Sequence, residues 1–177
     1  MAKSKIDVQG KQVRILKGDS FDFICLSDIA KAGGADPNDT LKNYLRNKSN
    51  INFLGVWESV HNDSFDEEGF NSIKLRTGDN NFTLSVTEWI KKTKAHGMKT
   101  ERGRFGGTYA HEEIAIQFAT WFSPEFYVYF IKAFKKLAEA ENRTAQFFLD
   151  KIFDNSLENN RLAKELQELM LPPKKED

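Results

Sequence analysis

Between residues 12 and 26, apolar and polar side chains alternate with the two-residue period of a strand. Val13 and Ile15 alternate with polar neighbours, and so do Phe21, Phe23 and Cys25. The "KGDS" between them carries a Gly-Asp turn signal, so the stretch predicts a β-hairpin. "LSDIAKAGGA" predicts a short helix, with Ser27 or Asp28 as cap and Gly33-Gly34 as its end. "DPNDTLKNYLRNKSNINFLGVW" predicts a second helix. Pro37 follows Asp36 as a first-turn proline, and Leu41, Tyr44 and Leu45 fall at i, i+3 and i+4. An acidic loop, 58–68, and a second hairpin, "NSIKLRTGDNNFTLSV", come next. Ser85 and Glu88 form a capping box for the helix "VTEWIKKTKA". Residues 97–109 lack a helical period and predict a loop or hairpin. "HEEIAIQFATWF" is helical. "SPEFYVYFIKAFKKLAEAENR" restarts a helix with Ser123 as N-cap and Pro124 in its first turn. Phe126, Phe130, Phe134 and Leu137 predict its buried stripe. From about Asn142, helical spacing continues at Phe148, Ile152, Leu162, Leu166 and Leu169, interrupted by Asn155, Asn159 and Asn160. The polar end "PPKKED" is expected to fray. The pattern predicts an α+β domain over 1–140 and a helical extension over 141–177.

Composition adds that this core needs no external staple. The chain has 177 residues, 40% hydrophobic, with 15 Phe and 3 Trp, which suffices for a real core. The single cysteine, Cys25, has no partner for an internal disulfide, and its apolar setting "FDFICL" predicts a buried, inert thiol. No apolar segment follows "MAKSK", and no apolar run reaches the roughly 18 residues of a membrane span. An intracellular, cytoplasmic setting without membrane contact is therefore expected.

Net charge is zero, from 26 Lys+Arg against 26 Asp+Glu. The charges are unevenly placed. Residues 91–104 hold Lys91, Lys92, Lys94, Lys99, Arg102 and Arg104 against Glu101 alone. Residues 58–68 hold Glu58, Asp63, Asp66, Glu67 and Glu68 and no Lys or Arg. Such segregation predicts a basic face on a neutral protein. The glycine-rich "GRFGGT" fits neither a dinucleotide-binding turn nor a Walker loop, because it lacks their spacing and follows no parallel strand. His61, His96 and His111 are not at metal-ligand spacing. The acids of 58–68 have no lysine partner in a nuclease-like motif, and no serine or cysteine has the setting of a nucleophile. No enzymatic activity, cofactor or metal is expected. A metal-dependent nuclease is the weakest of the readings.

Residues 26–48 have the proportions of a helix-turn-helix, and a basic hairpin lies downstream. A helix pair with a β-wing grips a duplex with one helix in the major groove and the wing along the backbone. Three stretches carry a resemblance: "LSDIAKAGG", "TLKNYLRNKSNINFLGVWE" and "GRFGGTYAHEEIAIQFATWFSPEFYVYFI". Over about residues 20–140 the chain resembles the KilA-N domain of bacteriophages, large DNA viruses and bacteria, which is related to the fungal APSES DNA-binding domain. The family's Gly-Gly-Thr, aromatic, Ala or Val, His run matches Gly106, Gly107, Thr108, Tyr109, Ala110 and His111. Its Ala-x-Trp-x-Ser-Pro-Glu-Phe matches Ala119, Trp121, Ser123, Pro124, Glu125 and Phe126.

The resemblance implies an α+β fold around a winged helix-turn-helix-like core and a double-stranded DNA partner. It implies a sequence-preferring regulator or antirepressor of phage or mobile-element type. Helix 37–48 would enter the major groove, presenting Lys42, Asn43, Arg46 and Asn47 at i, i+1, i+4 and i+5, with Lys48 meeting phosphate. In the wing 97–109, Lys99, Arg102 and Arg104 would contact the backbone. Gly106 and Gly107, followed by Thr108, would form a tight or closely packed turn that aims them. Lys91, Lys92 and Lys94 would extend the patch, and the acidic loop would point away from DNA. His111 is expected to hold the turn. The alternative, favoured by the neutral charge, is a protein-interaction module that binds a repressor without touching DNA. Leu162, Leu166 and Leu169 add the expectation of a homodimer through the C-terminal helix.

Overall fold

A computed structural model describes residues 2–8, 11–18, 21–103 and 106–140. The chain divides into two compact units, 1–127 and 128–177. The expected C-terminal extension, 141–177, and its dimer helix lie outside the described residues.

The first unit is α+β. Its strands are β1 (Ala2–Val8), β2 (Lys11–Lys17), β3 (Phe23–Cys25), β4 (Met98–Glu101) and β5 (Gly107–His111). They form one antiparallel sheet in the order β1-β2-β3-β5-β4. The helices are α1 (Leu26–Ala32), α2 (Pro37–Arg46), α3 (Lys48–His61), α4 (Glu67–Arg76), α5 (Val86–Thr93) and α6 (Glu112–Phe122). α7 (Pro124–Ala140) begins at the end of this unit.

Alternation along the strands divides the sheet into two faces. Ala110 and its partner Met98 face the main core with Leu26, Tyr44, Ile51, Leu54, Trp89, Ile114 and Phe118, all buried. The opposite face carries a small cluster of Leu16, Phe23, Cys25 and Tyr109. Each large apolar side chain buried in this way contributes about 1.5–3 kcal/mol. Cys25 is fully buried, and burial pushes its thiol pKa up, as its apolar setting predicts.

The expected first hairpin is present as β2–β3, paired through Ile15–Ile24 and Leu16–Phe23. The Gly33-Gly34 stop of α1 is also present, with Gly34 at φ 81°. Ser85 Oγ accepts from the Glu88 N–H and Ser123 Oγ accepts from the Phe126 N–H, so both expected serine caps are made, while the Glu88 carboxylate of the expected capping box pairs with Lys92 instead.

Four expectations need correction. The helix expected over 36–57 is two helices that break at Asn47 (φ −78°, ψ 122°). The Asn47 Oδ1 accepts from the Ser49 and Asn50 N–H groups and caps α3. An asparagine side chain competes with the helical backbone for these donors, and here it wins. The second expected hairpin is instead helix α4 followed by an irregular segment. Tertiary packing decides this: Phe70 of α4 meets Trp89 of α5 edge-on at 6.1 Å, and Asp66 caps the helix through the Gly69 N–H. Neither Ser27 nor Asp28 caps α1. Both side chains bond outward to other elements, as described below. The aromatic stripe of α7 is not buried where it is described, since Phe126 is half-buried and Phe130 is 37% exposed. Strand β1 went unanticipated, because "AKSKIDV" has little apolar alternation.

Candidate nucleic-acid interface

The sequence makes α2 a short, firmly started helix with two faces. Asp36 accepts from the Asn38 and Asp39 N–H groups, and Pro37 occupies the first turn. Leu41, Tyr44 and Leu45 point into the core, while Lys42, Asn43 and Arg46 are exposed on the other side. Burial pushes the Tyr44 phenol pKa up, and its hydroxyl donates to the Gln117 Oε1 of α6. Gln117 in turn donates to Asn50 Oδ1 at 3.0 Å. A buried polar chain therefore fixes the rotation of α2 about its axis, and with it the direction of the exposed face. Arg46 reaches the Asn80 carbonyl at 3.4 Å. Lys42 stands 3.7 Å from Asp39 across a solvated surface, a contact worth little.

Asn47 and Lys48 depart from the expected single face. The Asn47 carboxamide oxygen is occupied by the α3 cap. Lys48 opens α3, whose first turn holds no acid. A lysine at a helix N-terminus is disfavoured by the helix dipole by roughly 0.3–1 kcal/mol, while an anion there is favoured.

The stretch 97–109 forms the β4–β5 hairpin. Thr100 pairs with Thr108 and Lys99 with Tyr109. Its tight-turn residue is Gly103 (φ 102°), whose carbonyl accepts from the Gly106 N–H. Gly107 does not take positive φ, and the role of the Gly106-Gly107 pair is close packing. A Cβ on Gly107 would lie 3.1 Å from Cys25 Sγ and 3.3 Å from Arg14 Nη2. One on Gly106 would lie 2.4 Å from the Glu101 carbonyl oxygen.

A buried ion pair lies behind this glycine pair. The Arg14 guanidinium on β2 donates twice to Asp28 on α1, at 2.7 and 2.8 Å, and once to the Gly106 carbonyl at 3.2 Å, and the Arg14 backbone N–H donates to Asp28 at 3.1 Å. Burial alone would raise the Asp28 pKa, but the Arg14 bonds outweigh it and hold the carboxyl below its usual range. Ser27 Oγ accepts from the Thr108 N–H at 3.0 Å. Gly106, Gly107 and Thr108 thus form the seam where the hairpin locks onto β2 and α1. The sequence marked these residues, but it offered Ser27 and Asp28 only as helix caps and did not mark Arg14, because their partners are remote in the chain. His111 closes β5 and caps α6, its Nδ1 accepting from the Glu113 N–H, with Phe21 at 4.7 Å and Trp57 at 4.9 Å.

The cations of the hairpin are not equivalent. Arg102 is exposed. Lys99 is not a solvent-facing cation as expected: its Nζ sits 3.8 Å over the Phe23 ring, and desolvation lowers its pKa. Arg104 lies outside the described residues. The lysines of 91–94 also differ from expectation. Lys92 pairs with Glu88 at 2.9 Å and Lys94 with Asp66 at 3.6 Å. The basic and acidic stretches therefore meet at α4–α5. Glu58 does not belong to a solvated loop. It is fully buried on α3 and accepts from the His96 and Gly97 N–H groups at 3.0 and 2.8 Å and from Asn62 Nδ2 at 2.9 Å. This carboxylate anchors the segment that leads into β4.

Lys42 of α2 and Thr108 of the hairpin line one shallow depression of about 290 Å³. Asn38, Leu41, Leu45, Thr100 and residues Leu84–Thr87 complete it. Among the described residues, no group of three or more His, Cys, Asp or Glu could hold a metal ion, and no helix is long and apolar enough to cross a membrane.

No curated protein and no solved structure matches the chain. The family model described as "KilA-N domain" matches residues 6–140. That span contains the sheet except for the first four residues of β1, together with α1–α6, the exposed face of α2 and the β4–β5 hairpin. With about three quarters of its residues matched, the chain belongs to the KilA-N domain family, a family associated with DNA binding.

Proposed function

We propose that the chain binds double-stranded DNA with a sequence preference and acts as a transcriptional regulator or antirepressor of phage or mobile-element type. The exposed face of α2 enters the major groove, and the β4–β5 hairpin follows the backbone. The observation that carries this reading is the division of α2. Lys42, Asn43 and Arg46 are exposed on one side, Leu41, Tyr44 and Leu45 are buried on the other, and the Tyr44–Gln117–Asn50 chain sets the rotation. Ten residues of helix span about 15 Å, and the major groove, about 12 Å wide, admits a helix. Arginine pairs with guanine and asparagine with adenine in that groove, and lysine meets phosphate. Lys48, opening a helix without an acidic first turn, is placed to meet phosphate. Arg102 and Arg104 are the backbone contacts of the hairpin, while Lys99 and Asn47 serve packing and capping.

The test is Arg46→Ala in a competition between a selected duplex and random duplex. Loss of one good base contact should reduce discrimination by about 1–3 kcal/mol, leaving affinity for random duplex nearly unchanged. Equal weakening of both would make Arg46 a phosphate contact and overturn the groove assignment.

One observation favours a second reading. Net charge is zero, and the basic run is partly neutralised at Lys92–Glu88 and Lys94–Asp66. A protein-interaction module that binds a repressor would show no steep salt dependence of duplex binding, whereas DNA binding would.

A further inference from the structure

The depression between α2, the start of α5 and the β4–β5 hairpin carries chemistry that the groove helix and the hairpin turn do not use. Its floor is apolar, made by Leu41, Leu45, Leu84 and Val86. Its rim is polar and comes from three separate elements: Asn38 and Lys42 from α2, Ser85 and Thr87 from the start of α5, and Thr100 and Thr108 from the hairpin. Among the described residues, no carboxylate lines it.

Two observations point to an anion. The first is the start of α5, an eight-residue helix. Ser85 caps the Glu88 N–H. Among the described residues, the Val86 and Thr87 N–H groups make no hydrogen bond. Free first-turn donors and the helix dipole both favour negative charge. The second is Thr108, which is only 7% exposed. Its backbone N–H is taken by Ser27 Oγ, but its hydroxyl has no hydrogen-bond partner among the described residues. Thr108 lines the depression, and its hydroxyl is free to donate to a group seated there.

We propose that the depression seats a backbone phosphate of bound duplex, with the adjoining deoxyribose against its apolar floor. The free N–H groups of α5 and the hydroxyls of Thr87, Thr100 and Thr108 donate to the phosphate oxygens, and the Lys42 ammonium supplies the counter-charge. This deepens the DNA-binding reading and rests on it. It identifies α5, which lies in neither the groove helix nor the hairpin, as the third point of contact. Three such points, on α2, α5 and the hairpin, fix both position and tilt on the duplex, which the groove helix alone would leave free to pivot.

The test measures binding of the full chain to a mixed-sequence duplex by fluorescence anisotropy across a salt series. Thr87→Asp places an acid in the depression, at a helix position where the dipole favours it, so its melting temperature should match or exceed that of the wild type. Its binding should weaken by about tenfold, and the log–log salt slope should flatten by about 0.9 for the one lost contact. Ser72→Asp, an exposed position on α4 outside the depression, makes the same charge change and should retain the wild-type slope. Thr108→Val removes the hydroxyl at constant shape. It should fold at least as well as the wild type and still bind more weakly, by about tenfold for a bond to a charged group. Equal salt slopes for Thr87→Asp and Ser72→Asp would overturn the seat while leaving the α2 assignment standing. A wild type that binds no duplex would overturn the DNA-binding reading and the seat together. A wild type stabilised by inorganic phosphate over chloride at equal ionic strength, with Thr87→Asp abolishing that effect but not duplex binding, would make the seat one for free phosphate and overturn the backbone assignment.

Discussion

Replacing Glu58 by glutamine isolates the anchor that holds the base of the β4–β5 hairpin. Glu58 Oε1 accepts from the Gly97 N–H, and Oε2 accepts from the His96 N–H and from Asn62 Nδ2. Glutamine keeps one acceptor oxygen and turns the other into an NH₂ donor. Its better orientation keeps the oxygen toward His96 and Asn62 and sets the NH₂ against the Gly97 N–H. One charge-assisted hydrogen bond is lost, at a cost of about 1.5–3 kcal/mol, and a backbone donor is left unsatisfied. Removing a buried charge recovers part of its desolvation cost, which places the net loss near 2 kcal/mol. At about 3 °C per kcal/mol for a chain of this size, the melting temperature should fall by roughly 6 °C. Glu58→Ala orphans all three donors and should cost about 3–5 kcal/mol. Urea denaturation followed through tryptophan fluorescence gives the free energies, and hydrogen exchange gives the location. The His96 and Gly97 amides should exchange faster in Glu58→Gln, while amides of α2 keep their protection relative to global stability. A Glu58→Gln variant within about 0.5 kcal/mol of the wild type, with Gly97 exchange unchanged, would refute the anchoring role of the carboxylate.

Gly107→Val should lose about 1–3 kcal/mol by overpacking, because the added carbon sits 3.1 Å from Cys25 Sγ and its branches press on the Arg14–Asp28 pair; a thermal melt of wild-type stability would contradict the close packing. Asp28 has a folded pKa below its ordinary value, so its contribution is complete above a pH of about 4 and is lost as pH falls through the folded pKa. Asp28→Asn should be less stable at neutral pH and show a shallower acid limb in pH-dependent unfolding; identical acid limbs would mean that the Arg14 pair carries no linkage. Arg102→Ala should flatten the log–log salt slope of duplex binding by about 0.9, whereas Lys99→Ala should leave it unchanged, because Lys99 rests on Phe23. The reverse order would put the opposite face of the hairpin on the DNA.

Most of what lay in local sequence was legible. The β2–β3 hairpin, the Gly33-Gly34 stop, the Asp36-Pro37 start of α2 and the Ser85 and Ser123 caps each depend on a few adjacent residues, whose chemistry acts within one turn. The family motif was legible for the same reason, and so was the split of α2 into an apolar and a polar side, since 3.6-residue periodicity is a property of the string. Contacts between remote residues were not legible. Glu58 stands beside Asp63 and Asp66 in the sequence and reads as one more surface acid; only the arrival of His96 and Gly97 makes its burial tolerable. Lys99 reads as a wing cation until the sheet brings Phe23 beneath it. The hairpin expected at 71–86 became α4 because Phe70 finds Trp89, a packing gain larger than the weak local preference of "NSIKLR". The break at Asn47 was signalled by its residue type, yet whether an asparagine continues a helix or caps the next one depends on where the following helix must go to bury Ile51 and Leu54. The sequence by itself determined which segments form turns, caps and amphipathic faces, because those free energies are local. The tertiary structure decided which charges are buried, which are exposed and how Gly106-Gly107-Thr108 docks on Arg14, Ser27 and Asp28, because desolvation and pairing depend on neighbours that the chain order does not specify.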